Sequence, residues 1–313
     1  MESIKDVIRK ISGGKSPLGQ SEQMLKELLE DEHVLEFLKS KEGQGITRSE
    51  LLKNVPKLYQ FANERHHCRE CPGLKNCPNM MQGFRPDLVN DKESLNLTFS
   101  PCSLKIAEDM KQKQRSLIKS FYVPKDILKA DFQSFIPDIK RKDSILAAGE
   151  FIKGYLDSPK DVKGLYLYGK FGVGKTYLAG AIVNELAKRK GISSMLVYTP
   201  DFFREMRQSI QDGTVDEKLE TVKEVPVLVL DDIGAETMTP WIRDDILGSI
   251  LQYRMMESLP TIYTSNKDFD DLEAHLSYSD KSGEETLKAK RIMERIRYYT
   301  TFVQMEGDNR RGS

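Results

Sequence analysis

The stretch LYLYGKFGVGKT, residues 165–176, contains the pattern GxxxxGK[ST] directly after a short apolar run. The apolar run predicts a strand, and the residues from Lys175 to Lys190 predict a helix. Glycines let backbone N–H groups curl around a phosphate, and the positive end of the helix dipole points at the same anion. The stretch therefore predicts an α/β domain built around a phosphate-binding loop.

Each residue of the loop has a chemical reason to be there. Gly169, Gly172 and Gly174 shape the backbone, Lys175 reaches the β- and γ-phosphates, and the Thr176 hydroxyl ligates Mg²⁺. A glycine-rich turn that matches by chance would rarely lie between a predicted strand and a predicted helix. We therefore expect a bound nucleotide with Mg²⁺.

An acidic pair follows the apolar run Val227–Leu230. Because the carboxyl ends of parallel strands face the nucleotide, Asp231 is expected to hold Mg²⁺ through water, and Asp232 to polarise the attacking water. A solvated acidic turn is the alternative, and it fits poorly after so apolar a strand. The pair favours hydrolysis over transfer to a small molecule.

Two further stretches extend this prediction. Asn266 ends the strand of PTIYTSN and is expected beside Asp231, near the γ-phosphate, although asparagine is also common in ordinary turns. The segment KRIMERIR, residues 290–297, carries cations at helical spacing. It is either a solvated helix face or the source of an arginine that contacts a phosphoryl group.

The second half of the chain alternates short apolar runs with helical stretches, which predicts a parallel sheet covered by helices on both faces. Five strands are expected, at residues 165–168, 194–199, 225–232, 260–266 and 301–306. The N-terminal third reads as short helices, and residues 103–120 as a solvated helical connector. We predict domains at 1–110 and 136–313, joined by a linker at 111–135.

Composition sets few limits on partners. The 313 residues contain 48 Lys and Arg against 48 Asp and Glu, so global charge favours no class of ligand. The chain contains no apolar run of eighteen residues, and its N-terminus lacks an apolar signal core. We expect a cytoplasmic protein that does not contact a membrane.

All four cysteines lie in one region, at Cys68, Cys71, Cys77 and Cys102. A CxxC pair places two thiolates within reach of one tetrahedral Zn²⁺, and the remaining ligands come from elsewhere in the chain. The surroundings lack the strand and helix of a thioredoxin-type redox motif. The alternative to a four-cysteine site is three cysteines completed by His66 or His67.

The phosphate loop, the acidic pair, the TSN strand end and the RIMERI helix occur in the order found in AAA+ ATPases of the initiator and loader branch. The chain is most similar to primosomal helicase loaders of the DnaI/DnaC type. That resemblance implies that residues 169–176 are Walker A, that Asp231 and Asp232 are Walker B, and that Asn266 is sensor 1. It also implies that Arg295 acts on a neighbouring subunit's ATP, and it makes Arg310 the candidate sensor 2.

The resemblance extends to the cysteines, because DnaI-type loaders have an N-terminal zinc-binding domain that is small and mostly helical. The family pattern includes a histidine in the loop after the third cysteine. Here that loop reads MMQGFRPDLV, without histidine. This departure favours Cys102 as the fourth ligand.

The resemblance implies an ATP-dependent loader that binds the replicative hexameric helicase through its zinc domain and delivers it onto single-stranded DNA. Other primosome proteins and self-association on the helicase are further implied partners. Arg204 and Arg207 are candidates to meet DNA phosphates, whereas Phe202 and Phe203 beside them fit a protein core better. The alternatives are a transposition-helper AAA+ ATPase and a small-molecule P-loop kinase.

Overall fold

The computed structural model describes residues 17–91, 94–124, 126–134, 139–279 and 283–309. The chain divides into two compact units, and the division lies between Lys111 and Gln112. No described helix combines the length and apolar character needed to cross a membrane. Each unit is described by itself below.

The N-terminal unit consists of short helices and one hairpin. Its elements are α1 (Pro17–Leu28), α2 (Glu32–Lys39), α3 (Arg48–Lys53), α4 (Val55–Arg69), β1 (Phe84–Asn90) and β2 (Leu95–Pro101). Helix α5 (Ser103–Ser116) contains the division between the two units. Strands β1 and β2 pair antiparallel. A small core of side chains from α1, α2, α4 and the hairpin includes Leu25, Val34, Leu58, Phe61 and Leu88.

Local sequence determines where these helices begin. Asp31 caps α2, because its carboxylate accepts hydrogen bonds from the backbone N–H groups of His33 and Val34. Thr47 and Glu50 form a capping box at the start of α3. Pro56 stands in the first turn of α4, where no intrahelical partner exists for a backbone N–H, and it separates α3 from α4.

The second unit contains a six-stranded parallel sheet in the order β10-β4-β7-β6-β5-β3. Its strands are β3 (Ile118–Phe121), β4 (Gly164–Tyr168), β5 (Ser194–Tyr198), β6 (Val227–Asp231), β7 (Thr261–Ser265) and β10 (Thr300–Gln304). The five predicted strands are all present. The sixth, β3, lies in the segment predicted as connector and linker, where it pairs with β5 at the edge of the sheet.

Helices cover both faces of this sheet. They are α6 (Lys142–Asp157), α7 (Lys175–Lys190), α8 (Thr199–Asp212), α9 (Val215–Glu224), α10 (Gly248–Met256), α11 (Phe269–Ser277) and α12 (Thr286–Tyr299). A π-helical stretch, Ile242–Leu247, leads into α10, and a small hairpin, β8 (Tyr278–Ser279) and β9 (Gly283–Glu284), precedes α12.

Alternate residues of each central strand enter opposite cores. In β6, Val227 and Val229 pack with α6 and α7 on one face, whereas Leu228 and Leu230 pack with the remaining helices on the other. Both faces are therefore apolar, which explains the continuous apolar runs in the sequence. Because the strands are parallel, β4, β6 and β7 end at the same edge, and the loops after them meet there.

Candidate nucleotide-binding site

The phosphate loop joins the end of β4 to the start of α7. Gly172 and Gly174 have φ values of +79° and +99°, a region that side-chain-bearing residues rarely adopt. Gly174 stands at the N-cap of α7, so the unpaired N–H groups of the first helical turn point into the loop. The loop therefore presents backbone donors to an anion, as the sequence predicts.

Lys175 is buried in the loop and joins it to the end of β7. Its Nζ donates to the carbonyl oxygens of Gly169 at 2.8 Å and Lys170 at 3.0 Å. It also donates to Asn266 Oδ1 at 2.6 Å. The structure thus brings Lys175 and Asn266 together, although 91 residues separate them in the chain.

Asp231 and Thr176, the predicted Mg²⁺ ligands, lie side by side. Thr176 Oγ1 donates to Asp231 Oδ1 at 2.7 Å, and Thr264 Oγ1 donates to the same oxygen at 2.6 Å. Only 5% of Asp231 is exposed, and this burial raises the pKa of its carboxyl, while the two hydroxyl groups oppose the shift. A hydroxyl and a carboxylate oxygen side by side fit the hard oxygen ligands that Mg²⁺ prefers.

Asp232 is held by the end of the neighbouring strand. Asn266 Nδ2 donates to Asp232 Oδ1 at 2.9 Å, and the Asp232 N–H donates to Thr264 Oγ1 at 2.9 Å. The φ of Asp232 is +59°, a left-handed conformation that costs a non-glycine residue about 1 kcal/mol or more. The hydrogen bonds with Thr264 and Asn266 offset that cost, and the one from Asn266 fixes the carboxylate.

Thr264 is a site residue that sequence reasoning missed. Its one hydroxyl group contacts both aspartates of the acidic pair. The TSN strand end drew attention to Asn266, but nothing in the sequence shows that a strand threonine two residues earlier faces β6. Only the pairing of β6 with β7 reveals this.

A third acidic residue holds the loop after β6 in place. Glu236 is buried, and its Oε2 accepts hydrogen bonds from the Gly234 N–H at 2.9 Å and Thr199 Oγ1 at 3.3 Å. Thr199 is the first residue of α8, so Glu236 connects the acidic loop to that helix. This residue follows the DD pair in the sequence but was not predicted.

Arg141 is a third missed residue, and it adds a cation to the site. Only 2% of it is exposed, and it lines the same cavity as Gly174 and Lys175. Its Nη2 donates to the Asp308 carbonyl oxygen at 3.3 Å. In the sequence Arg141 is one cation among several in IKRK, so no local signal distinguishes it.

These residues line a cavity of about 760 Å³, a volume typical of small-molecule sites. Its lining contains the phosphate loop, the acidic pair, Thr264 and Asn266. It also contains aromatic, apolar and polar side chains, which include Tyr122, Pro124, Ile127, Tyr177 and Tyr198. Charged groups suit the phosphates of a nucleotide, and aromatic side chains suit its base.

Arg295, the arginine predicted to act on a neighbouring subunit, does not line this cavity. Arg295 is half-buried on α12, where its Nη1 donates to the Gly248 carbonyl oxygen at 3.4 Å. It lines a separate small cavity with Lys160 and Arg254. Arg310 lies outside the described residues.

Three of the cysteines lie around the turn at Gly83. Cys68 is in the last turn of α4, Cys77 follows a 3₁₀ turn, and Cys102 follows β2. The Gly83 N–H donates to Cys77 Sγ at 3.4 Å, and the Cys102 N–H donates to the Gly83 carbonyl oxygen at 2.8 Å. One residue thereby holds Cys77 and Cys102 together.

Asn79 connects Cys68 to the same turn, because its Nδ2 donates to Cys68 Sγ at 3.4 Å and to the Phe84 carbonyl oxygen at 2.9 Å. Donors to sulfur of this kind are typical of the surroundings of a metal-bound thiolate. Both neighbouring histidines have hydrogen-bond partners, since His66 contacts Asp31 and His67 contacts Asn79.

The Cys68 thiol is affected by burial and by the other three cysteines. Burial raises the pKa of the Cys68 thiol, and the proximity of Cys77, Cys71 and Cys102 raises it further. A group of thiolates that repel one another fits a soft cation such as Zn²⁺. Among the described residues no three of these sulfurs lie within 4.8 Å of one another, and their role as a zinc ligand set stays a prediction.

The predicted DNA-contacting helix has a buried and an exposed face. Phe202 and Phe203 belong to the core, as their apolar character favoured. Arg204 is exposed on α8 and pairs with Asp201 at 2.9 Å. The contact with DNA stays a prediction.

A phosphate loop, a buried acidic pair and a polar strand end at one edge of a parallel sheet define a P-loop ATPase of the AAA+ class. The family model described as IstB-like ATP binding protein matches residues 107–313. The model described as Primosomal protein DnaI N-terminus matches residues 1–99.

The relatives agree with these matches. The chain is 42% identical over 312 residues to the replicative helicase loader DnaI of Bacillus subtilis (strain 168), with 99% of both chains covered. It is 30% identical over 131 residues to the replicative helicase loader DnaC of Escherichia coli (strain K12), which covers 41% of this chain and 48% of that protein. The chain therefore belongs to the DnaI family of AAA+ proteins.

Solved structures show the same similarity. A crystal structure of DnaI is 50% identical in sequence to this chain, with a TM-score of 0.55. The match covers 64% of this chain and 100% of the chain in that crystal structure. A crystal structure of the DnaC helicase loader is 26% identical and covers 58% of this chain and 100% of its own, with a TM-score of 0.50.

Proposed function

We propose that this chain is an ATP-dependent loader that binds the replicative hexameric helicase and delivers it onto single-stranded DNA. The observation that carries the proposal is the identity of 42% along the full length of a relative named as a replicative helicase loader. The N-terminal match to the DnaI model supports it independently of the ATPase.

The ATPase chemistry follows from the site. Lys175 and the loop N–H groups bind the β- and γ-phosphates, and Arg141 supplies a further positive charge in the same cavity. Thr176 and Asp231 would hold Mg²⁺, which neutralises phosphate charge when bound. Asp232 accepts a proton or a hydrogen bond from the attacking water, and Asn266 fixes the orientation of the Asp232 carboxylate.

Arg295 is proposed to act on the ATP of a neighbouring subunit. Its place outside its own chain's nucleotide cavity supports an action in trans. This requires self-association on the helicase; other primosome proteins are proposed as separate partners. Arg295→Ala subunits should therefore impair hydrolysis by wild-type subunits mixed with them, and additive rates in such mixtures would count against a trans-acting arginine.

The N-terminal unit is proposed to bind the helicase. Within it, Zn²⁺ is proposed to be bound by Cys68, Cys71, Cys77 and Cys102. Four thiolates would close the coordination shell, so the ion would be structural. Single-stranded DNA is proposed to meet Arg204 and Arg207 on α8. Glu236 supports a coupling between that helix and the ATP site.

The decisive experiment mixes the full chain with the cognate replicative helicase and measures native mass with and without ATP. We expect a complex that changes with ATP, and Lys175→Ala should remove the ATP dependence without unfolding the chain. The absence of any complex would overturn the proposal. If the N-terminal unit binds the helicase, residues 1–111 tested alone should still form a complex with it.

A transposition-helper ATPase is the second candidate, because the family model that matches residues 107–313 is IstB-like. Such a helper would bind duplex DNA and a transposase instead of the helicase. Filament formation on duplex DNA, combined with no binding to the helicase, would favour it. The N-terminal match and the full-length relative both favour the loader.

A further inference from the structure

A second group of potential metal ligands lies in the N-terminal unit. One ligand atom each from Glu32, His33 and His66 lies within 4.8 Å of the other two. It is the one group of three or more His, Cys, Asp or Glu ligands that converges so closely in the described part of the chain. Glu32 and His33 begin α2, and His66 lies in the last turn of α4, so the group joins two helices.

Asp31 organises this group. Its Oδ1 accepts the His33 N–H at 2.9 Å and the Val34 N–H at 3.2 Å, which sets the start of α2. Its Oδ2 lies 2.5 Å from His66 Nε2. The same carboxylate therefore holds the backbone of one histidine and the ring of the other, and the two rings meet edge to face at 4.9 Å.

One ring nitrogen in the group is buried without a hydrogen bond. His33 Nε2 has no hydrogen-bond partner among the described residues, and its ionic neighbour, Glu32 Oε1, is 3.9 Å away. A buried polar atom in that condition is unfavourable unless something else satisfies it. An ion bound between His33, Glu32 and His66 would do so.

The donor set indicates which ion. Imidazole nitrogen with carboxylate oxygen suits Zn²⁺ and its neighbours, whereas Mg²⁺ and Ca²⁺ prefer oxygen alone. Asp31 and Glu32 provide two negative charges, and Arg69, which pairs with Glu32, offsets one of them. A net negative charge beside two imidazole rings attracts a dication.

We propose that Glu32, His33 and His66 bind a divalent transition-metal ion, with Asp31 holding the His66 ring. This site differs in its ligands from the cysteine cluster and does not depend on the proposed function. The ion would connect α2 to α4. Because the unfolded chain lacks the assembled site, the ion would stabilise the folded N-terminal unit.

The test is the zinc content of the full chain after equilibration with Zn²⁺ and removal of the excess. The wild-type chain should hold two ions, and His33→Gln should hold one. Glu36→Gln, an exposed change on the same helix, is the matched control and should hold two. Glu32→Gln, also exposed, is the second variant in case His33→Gln does not fold, and its second ion should bind at least ten-fold more weakly.

Co²⁺ substitution separates the two sites, because thiolate-to-cobalt charge-transfer bands arise only from cysteine ligands. His33→Gln should lose one Co²⁺ and keep those bands, whereas Cys68→Ser should lose the bands. A wild-type ion count that neither His33→Gln nor Glu32→Gln lowers would overturn the proposal and leave the group as hydrogen bonds and ion pairs only. The wild-type chain could also show no thiolate bands while His33→Gln still loses one ion. That result would refute the cysteine centre and support the site at Glu32, His33 and His66.

Discussion

At the scale of single residues, the site depends on polar side chains that are buried against one another. Asp231 shares one carboxylate oxygen between two hydroxyl groups, and Asn266 stands between Lys175 and Asp232. Burial makes each of these contacts sensitive to the loss of a single partner. The consequences are measurable one residue at a time.

Asp231 should make the nucleotide-free chain less stable at neutral pH. Burial raises its pKa, so the folded chain holds the proton more tightly than the unfolded chain does. Its contribution to stability is therefore present in acid and is lost as pH rises through the raised pKa. We expect Asp231→Asn to raise the melting temperature at neutral pH by about 2 °C or more.

That gain should shrink as the pH is lowered below the raised pKa, because wild-type Asp231 is then neutral as well. Thermal unfolding without nucleotide or Mg²⁺, followed across the acidic range, measures the difference. Asp143→Asn, an exposed change on α6, is the control and should show no such pattern. A gain that is independent of pH would contradict the explanation.

Thr264→Val should slow ATP hydrolysis. The change removes a donor to Asp231 and leaves the Asp232 N–H without its acceptor. A loss of about 1.4 kcal/mol in the positioning of these groups corresponds to a roughly ten-fold lower kcat. Steady-state ATPase assays measure it, and Thr301→Val, at an exposed position on β10, should behave as wild type.

Arg141→Met should weaken the binding of ATP about ten-fold, since a guanidinium in the phosphate cavity adds charge-assisted contacts. Titration calorimetry with ATP and with adenosine separates a loss of phosphate binding from a structural change in the cavity. Only ATP should lose affinity. Lys142→Met, at the exposed neighbouring residue, should change neither, and an equal loss for adenosine would indicate a structural role.

At the scale of elements, Arg254 on α10 ties together the chain around β6 and β7. It is 1% exposed, and it donates to the carbonyl oxygens of Val225 at 2.7 Å and Pro260 at 2.8 Å and to Thr261 Oγ1 at 2.9 Å. Burial lowers its pKa to about 10, so it remains charged at neutral pH. The backbone before each strand thus depends on one side chain.

Arg254→Met should destabilise the chain by about 3 kcal/mol or more, because several buried carbonyl groups lose their donor. Denaturant unfolding monitored by circular dichroism gives the change. Arg189→Met on the exposed surface of α7 is the control, since its ion pair with Glu185 is worth about 0.5 kcal/mol. Similar losses in both variants would contradict the special role of Arg254.

At the scale of the whole molecule, the two units have separate cores and different sources of stability. The N-terminal core is small, whereas the sheet of the second unit is packed on both faces. A small core commonly needs a metal or another cross-link for stability. The two units should therefore respond differently to the removal of metal.

Removal of Zn²⁺ with a strong chelator should unfold the N-terminal unit and leave ATP binding intact. Calorimetry should then show one transition for the ATPase unit where the metal-bound chain shows an additional one. Restoring Zn²⁺ should restore the lost transition, and Cys68→Ser should prevent that recovery. A single unchanged transition after complete metal removal would contradict a structural metal.

The sequence by itself determined the phosphate loop, the acidic pair, Asn266 and five strands of the sheet. These features are local, because the GxxxxGK[ST] spacing and the alternation of apolar runs with helices need no distant contact. The capping box at Thr47 is local in the same sense.

Only the tertiary structure decided the features that depend on residues far apart in the chain. β3 contains four residues, two of them polar, and becomes a strand by pairing with β5. Thr264 and Arg141 enter the site because β6 lies beside β7 and because the segment around Asp308 contacts Arg141. No spacing rule predicts such neighbours, since packing over long sequence distances creates them.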